Sequence, residues 1–407
     1  MTDKLDPQRF EDELANIRDW WLAYGLDHDR GGVWGAISHD NQPDKTADKG
    51  SVVTARTLWF FSELVKRAPD DWEAAEAAHG LRRDLNRLFL DEKHGGYVWS
   101  AKADGGWADD KKQTYAQAFA IYAMVSYAEA FRDESAKAEA LALAQLLEHK
   151  TWELKYGGYL EAFAQDWGQG ADQRLSEKDV DAPKTMNTHL HVLEAYTSLH
   201  RLVGSSFTHD ILRQNIDLFN DLFVKPRDAC HLSLFYANDW TNLSDDISYG
   251  HDIEAGWLLC EAAEALEEPR RIAAAHRTVA SIANGVLNDG LSELGGLLYE
   301  RHPETTGPVK EHHWWVQAEA IVGFYQAYQS TGDQRFRRAS EAVWSFTDRE
   351  VIDHANGEWH WFSQAEQPLK GPYKAGLWKG PYHNGRAMME MVKRMTASGA
   401  EPARLEA

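Results

Sequence analysis

The chain has 407 residues, with 43 Lys and Arg against 64 Asp and Glu, a net charge of −21 when the 18 histidines are neutral. That acidity repels phosphate backbones and no basic run interrupts it, which argues against a nucleic-acid partner; no basic amphipathic stretch or long apolar run points to a membrane. The 43% apolar fraction is that of a globular protein, and a chain this long buries roughly three quarters of its unfolded surface without cross-links.

The opening residues, Met1-Thr2-Asp3-Lys4-Leu5, lack the charged-then-apolar pattern of an export signal, and a cytoplasmic protein is expected. Apolar residues then recur at helical spacing over 8–24, 50–67, 72–90, 110–132, 135–151, 184–203, 207–224, 249–266, 269–287, 311–331, 334–351 and 379–396. Between these segments a short theme returns, a turn residue followed by Gly-Gly and an aromatic-rich strand. It reads Asp29-Arg30-Gly31-Gly32-Val33-Trp34, Lys93-His94-Gly95-Gly96-Tyr97-Val98-Trp99 and Lys155-Tyr156-Gly157-Gly158-Tyr159-Leu160. It returns as Leu294-Gly295-Gly296-Leu297-Leu298-Tyr299 and, weakly, as Asn356-Gly357-Glu358-Trp359-His360-Trp361. The first glycines are separated by steps of 64, 62, 138 and 62, the third being two units of 69. A degenerate copy without glycines, Ala229-Cys230-His231-Leu232-Ser233-Leu234-Phe235-Tyr236, fills that gap and makes six units.

Twelve helices in six pairs predict an all-α fold, an (α/α)6 barrel of six inner and six outer helices forming one domain over 1–407. An open helical solenoid would satisfy the same count, but the terminal units look like the middle ones rather than like polar caps. Cys230 and Cys260 lie in apolar surroundings and are expected as buried thiols. The long connections 165–183, 300–310 and 363–378 are the predicted margins of a site.

Polar and aromatic residues gather at the starts of alternate helices: Arg56; Tyr115 and Gln117; Asn187, His189 and His191; His251, Glu254 and Trp257; Trp314, Trp315 and Glu319; Trp378, His383 and Arg386. In a ring these helix ends would face one pocket. His251, Glu254 and Trp257 share a helix face, so Glu254 is expected to orient the His251 imidazole for acid/base work. A His–Glu pair one turn apart on a solvated surface is the plainer alternative, but buried-type flanks argue for an interior site. His189 and His191 point to different faces, so one is a site candidate and the other a packed histidine. Arg56 interrupts an apolar helix, where a guanidinium needs an anion. No ligand spacing of a metal site and no phosphate-binding glycine loop is present, so neither metal nor cofactor is expected. The 17 Trp suit a surface that stacks on sugar rings, or simply a helical core.

With these residues the chain resembles the N-acylglucosamine 2-epimerase superfamily from about residue 8 to 396. The similar segments are Lys49-Gly50-Ser51 with Ala55-Arg56-Thr57-Leu58-Trp59-Phe60-Phe61, Tyr115-Ala116-Gln117-Ala118-Phe119, and Leu175-Ser176-Glu177-Lys178. They continue as Met186-Asn187-Thr188-His189-Leu190-His191 through Tyr196, Ser248-Tyr249-Gly250-His251-Asp252-Ile253-Glu254, Trp314-Trp315-Val316-Gln317-Ala318-Glu319, and Trp378-Lys379-Gly380-Pro381-Tyr382-His383-Asn384-Gly385-Arg386. One departure is Gly380, where relatives commonly carry Cys between Lys and Pro.

The resemblance implies the same barrel and a metal-free, cofactor-independent epimerisation at C2 of a reducing-end aldose. It is closest to the branch acting on the reducing-end glucose of β-1,4-linked disaccharides, with the monosaccharide-specific mannose epimerases and isomerases as the alternative. It makes His251 and His383 the acid/base pair, His191 a third essential histidine and Arg56 the enediolate binder. Tyr115, Asn187, Glu254, Trp257, Trp315, Glu319, Trp378 and Arg386 match substrate-contacting or supporting positions. The expected partner is a sugar alone, for a monomer or weak homodimer. Remoter alternatives are a glycoside hydrolase on a similar barrel, using Glu254 and Glu319, and a non-catalytic sugar-binding toroid.

Overall fold

The computed structural model describes residues 5–170, 172–176, 178–224, 230–305, 307–364 and 371–397. Among them are twelve α-helices: α1 (Pro7–Trp20), α2 (Ser51–Arg67), α3 (Trp72–Phe89), α4 (Thr114–Phe131), α5 (Glu134–Thr151) and α6 (Met186–Val203). They continue as α7 (Ser206–Leu218), α8 (Tyr249–Ala265), α9 (Pro269–Asp289), α10 (Trp314–Thr331), α11 (Gln334–Glu350) and α12 (Tyr382–Ala397). Their ends follow from local chemistry. Asp6 caps α1 through the Gln8 N–H with Pro7 at the first position, Ser205 and Thr208 form a reciprocal cap on α7, and Gly204 and Gly332 end α6 and α10 in left-handed backbone. Wider π-type turns, Trp21–Gly25 and Phe219–Phe223, extend α1 and α7 to the lengths the periodicity predicts.

The even-numbered helices form a closed inner ring, each packed on the next, with α12 returning to α2; the odd-numbered helices lie outside, α3 on α2 and so on round to α1 on α12. This closure excludes the solenoid. Inner and outer roles follow from side-chain pattern. In α3 the buried positions Ala74, Ala77, Ala78, Leu81, Leu85 and Leu88 make one stripe, whereas α4 is buried on nearly every side from Thr114 to Ala128. No helix of the described residues is long and apolar enough to cross a membrane. Cys230 and Cys260 are buried free thiols.

One mouth of the ring is bordered by short β pairs. The two residues entering an inner helix pair antiparallel with the strand of the next unit. Lys49–Gly50 pairs with Ser100–Ala101, Lys112–Gln113 with Ala162–Phe163, Lys184–Thr185 with Phe235–Tyr236, and Ile247–Ser248 with Glu300–Arg301. A single bridge, His313 to Phe362, serves α10, and Ala375–Gly376 pairs with Ala36–Ile37 to join the two ends of the chain. The degenerate sixth unit is thus real at Phe235–Tyr236, although its first residue, Ala229, lies outside the described residues. The Gly-Gly turns themselves close on one bridge each, such as Leu90 to Tyr97. Glycine is required there: at Gly158, with φ of 86°, a Cβ would come 2.4 Å from the Trp240 ring.

A buried lysine locks each of four turns to the next inner helix. Lys49, Lys112 and Lys374 donate to Asp27, Asp91 and Asp353 at 2.6, 2.9 and 2.6 Å, and Lys184 to Glu153 at 3.4 Å. Each also donates to the carbonyl of the first turn glycine, Gly31, Gly95, Gly357 or Gly157. A buried ammonium with two oxygen partners is tolerated where a lone one would be expelled. The clamps hold the mouth, and so the inner helix starts, at fixed positions.

Candidate active site

At that mouth a cavity of about 440 Å³ is lined by Arg56 of α2, Tyr115 of α4, Asn187 and His191 of α6, His251 and Glu254 of α8, Trp315 of α10, and Trp378 and His383 beside and on α12. All six inner helices begin here, so their positive dipole ends converge on the cavity and favour an anion.

Each of the three imidazoles is held through Nδ1 by a different group. His251 Nδ1 meets Ser248 Oγ at 2.8 Å, His383 Nδ1 meets Glu319 Oε1 at 2.6 Å, and His191 Nδ1 meets Glu194 Oε2 at 3.0 Å. His251 and His383 lie against the same indole, that of Trp315, with ring centroids 4.8 and 5.6 Å away. Enclosure pushes His251 down to about 3, with a further push from His191. Burial, then the guanidinium groups of Arg56 and Arg386, lower His383, and burial lowers His191. Burial in turn raises Glu319.

Arg56, expected to meet an anion, opens on the cavity. The guanidinium is 3% exposed, donates to Tyr115 Oη at 2.6 Å and to the Trp378 carbonyl at 3.3 Å, and leaves Nε unpartnered. It stacks on Phe119 and Tyr382 at 4.2 and 4.7 Å and has no carboxylate partner among the described residues. A buried cation without a counter-ion, open to a cavity, is a receptor for negative charge. Burial pushes the Tyr115 phenol up to about 12 against the pull of Arg56, so that hydroxyl stays protonated.

Three predicted substrate contacts stand elsewhere. Trp257, Glu319 and Arg386 do not line the cavity; they form the layer beneath it. Arg386 donates to Glu254 and Glu319 at 2.6 and 2.8 Å and also binds Glu194 and the Tyr382 hydroxyl, while Trp257 Nε1 donates to Glu319 at 3.0 Å. Burial opposes ionisation of Glu194, but Arg386 and His191 bring it down to about 2. Glu254 is raised well above the usual range by burial and by Glu319, and its Oε2 has no partner. It does not orient His251 as its spacing suggests; that pattern holds instead at His191 and Glu194. One donor atom each of Glu254, Glu319 and His383 lie within 4.8 Å of one another, but the Arg386 guanidinium already binds both carboxylates.

Gln117 also faces away, accepting from the Tyr97 N–H at 2.8 Å and donating to its carbonyl at 2.7 Å. His189 is the packed histidine of its pair, accepting from the Tyr159 N–H at 2.9 Å. Gly380 abuts α2 behind Arg56, where a Cβ would come 3.1 Å from Val53 Cγ2. Of the predicted long connections, Leu175, Ser176, Lys178 and Asp179 line the cavity with Pro372 and Tyr373; Glu177 and residues 365–370 lie outside the described residues. No described residue of 300–310 lines it. Sequence reasoning missed the outer aromatic wall of Tyr299, His313, Trp361 and Tyr373, in which Tyr299 and His313 stack at 3.8 Å. The signal was available, because Tyr299 and Trp361 end two of the Gly-Gly repeats.

Residues 32–387 match the family model described as N-acylglucosamine 2-epimerase (GlcNAc 2-epimerase). Among curated proteins the chain is similar to a cellobiose 2-epimerase of Bacteroides fragilis, 38% identical with 96% of this chain and 99% of that one covered. Among solved structures it is similar to a cellobiose 2-epimerase of Bacillus thermoamylovorans, with 34% identity, 95% and 99% coverage and a TM-score of 0.89. The D-mannose isomerase of Thermobifida fusca is 26% identical, with 75% of each chain covered. An α-mannanase of Bacteroides thetaiotaomicron, 13% identical with a TM-score of 0.62 and 97% of each chain covered, shares the fold alone.

Proposed function

The chain belongs to the N-acylglucosamine 2-epimerase family, and on that premise we propose that it is a cellobiose 2-epimerase, inverting C2 of the reducing-end glucose of a β-1,4-linked disaccharide. The observation that carries the chemistry is the buried Arg56 guanidinium, which has no carboxylate partner among the described residues, opening on the same cavity as two imidazoles whose Nε2 atoms have no hydrogen-bond partner among those residues.

The pyranose opens first, since the C2 proton becomes acidic only beside a free aldehyde. One imidazole takes that proton through Nε2, the C2–H electron pair becomes the C1=C2 bond of a cis-enediolate, and the carbonyl pair settles as negative charge on O1, beside the O2 hydroxyl, against Arg56 and the Tyr115 hydroxyl. A proton from the second imidazole then reaches C2 on the opposite face. The two histidines suit unequal starting states. His251, backed by a neutral hydroxyl, starts as the uncharged base, while His383 and Glu319 share a proton as the acid pair, with Arg386 beneath them. His191, turned by Glu194, assists at the oxygens. Return of the proton to C1 instead gives the ketose as a side product. None of these steps needs a metal or redox group, which supports a cofactor-free enzyme. The aromatic wall of Tyr299, Trp361, Tyr373 and Trp378 supports a second sugar ring beyond the one that reacts, and the disaccharide enzymes are more similar to this chain than the mannose isomerases. The cytoplasmic location and the monomeric or weakly dimeric state belong to the same proposal.

The test is proton NMR of the protein with cellobiose, and separately with mannose, in D2O containing EDTA. Glucosylmannose carrying deuterium at C2 is expected from cellobiose. Turnover of mannose alone would move the reading to the monosaccharide enzymes, released glucose would make the protein a hydrolase, and no exchange with either sugar would overturn it. His251→Asn and His383→Asn are each expected to lower kcat by about 10²–10⁴-fold with the fold intact.

A further inference from the structure

Ser248 occupies the N-cap of α8, the position from which a serine hydroxyl ordinarily accepts a hydrogen bond from the helix backbone. It makes no such bond. At the equivalent position of α6, Thr185 does cap its helix, accepting from the Thr188 N–H at 3.1 Å. The Ser248 hydroxyl instead meets His251 Nδ1 at 2.8 Å, three residues on. Its backbone is fixed from the other side by pairing with Glu300. The residue is 3% exposed, so no bulk water substitutes for it.

We propose that Ser248 is a positioning residue for the epimerisation, holding the His251 ring with Nε2 toward the sugar and supplying Nδ1 with a partner that carries no charge. This rests on the epimerase reading above. A hydroxyl accepts as readily as it donates, so the one contact serves the neutral base, with Nδ1–H donating to Oγ, and the imidazolium formed when Nε2 takes the C2 proton. A carboxylate in its place would favour the imidazolium before the reaction starts. The titratable groups facing His251 are His191 from α6, Glu319 from α10, His383 from α12 and Glu254 of its own helix, and none of them bonds Nδ1. The two catalytic histidines therefore differ in what holds Nδ1, a hydroxyl for His251 and a carboxyl group for His383.

The test compares Ser248→Thr with Ser248→Val, which share a shape and differ in the hydroxyl, with Ser248→Asp as the charged case. In protein with 15N-labelled histidine, assigned through His251→Asn, the imidazole nitrogen shifts of the sugar-free protein report the His251 tautomer without recourse to turnover. Protonated Nδ1 is expected for wild type and Ser248→Thr, and reversion toward the protonated-Nε2 form for Ser248→Val. In C2 exchange with cellobiose, Ser248→Thr should retain kcat within about 3-fold, and Ser248→Val should lose about 10-fold or more with KM little changed. Ser248→Asp should move the rising limb of the kcat–pH profile upward by about one unit or more. Equal tautomers and equal kcat for the Thr and Val variants would overturn the proposal. If Val is not accommodated, as near-UV circular dichroism would reveal, Ser248→Ala is read in the same two assays with the same expectations as Val. A wild-type protein that exchanges no C2 proton would overturn the epimerase reading, while the tautomer measurement would still decide what Ser248 does to His251.

Discussion

Replacing Arg386 with Met removes the guanidinium that pairs with three buried carboxylates. The guanidinium is 3% exposed and holds Glu254 and Glu319 at 2.6 and 2.8 Å, with Glu194 on its other terminal nitrogen. A charge pair at about 4 Å is worth roughly 4 kcal/mol at an effective dielectric constant near 20, and breaking a buried pair from one side costs about 3–5 kcal/mol. Protonation limits the loss. Glu254 and Glu319 are already pushed up by burial and gain protons readily, whereas Glu194 is held at about 2 largely by Arg386 and has most to lose. A net destabilisation of about 3–5 kcal/mol at pH 8 is expected. In the variant the freed carboxylates have folded-state pKa values above their unfolded ones, so the folded state binds more protons and stability falls as pH rises through that interval. The deficit relative to wild type should therefore be small near pH 5 and full at pH 8. Urea unfolding followed by tryptophan fluorescence at pH 5, 6.5 and 8 measures it. A deficit below about 1 kcal/mol at pH 8, or the same deficit at both ends, would refute the reasoning. Since Arg386 does not line the cavity, kcat should fall through the Glu319–His383 pair while KM stays near wild type.

Arg56→Met should act in the opposite sense on stability, because the guanidinium has no carboxylate partner among the described residues. Equilibrium unfolding should give unchanged or higher stability, while C2 exchange loses about 10²–10³-fold in kcat, the cost of one enediolate donor. Glu161 is fully buried under Thr185 and Thr188 and is pushed up by burial to about 8, from 4.5. The folded state thus binds a proton that the unfolded chain has released, and wild type loses stability as pH rises from 4.5 to 8. Thermal unfolding of Glu161→Gln should match wild type near pH 5 and exceed it by a few kcal/mol at pH 9; coincident curves at both pH values would refute the assignment.

The barrel was legible because two periodicities reinforce each other, the helical spacing of apolar residues and the return of Gly-Gly. The four lysine clamps were not, since a lone Lys before a helix reads as a solvated residue until the acid that buries it is placed alongside. The site was legible as a set of residue types at helix starts but not as a set of bonds. Spacing joined Glu254 to His251, one turn away, whereas Glu254 binds Arg386 from another helix and His251 takes the hydroxyl of its own cap. The same spacing was a true guide at His191 and Glu194. His383 and Glu319 are 64 residues apart, and only ring closure brings them to 2.6 Å. Gln117 and Trp257 sit at the heights of site residues, but their polar atoms serve a turn backbone and Glu319, a difference of side-chain direction that no pattern of residue types encodes.

The unit that completes the ring is assembled from segments far apart in the sequence. Its inner helix is α12, its outer helix is α1, and Ala36 pairs with Gly376; indoles seal the seam, Trp21 donating to Glu358 and Trp359 to Glu13. During synthesis, α1 therefore waits for α12, its packing partner, which is made far later. At about 5–20 residues per second that wait lasts tens of seconds, with Phe10, Leu14, Ile17 and Trp21 lacking their final cover. Until then the apolar stripe of α1 stays uncovered, and the seam of the ring closes only when α12 docks against it.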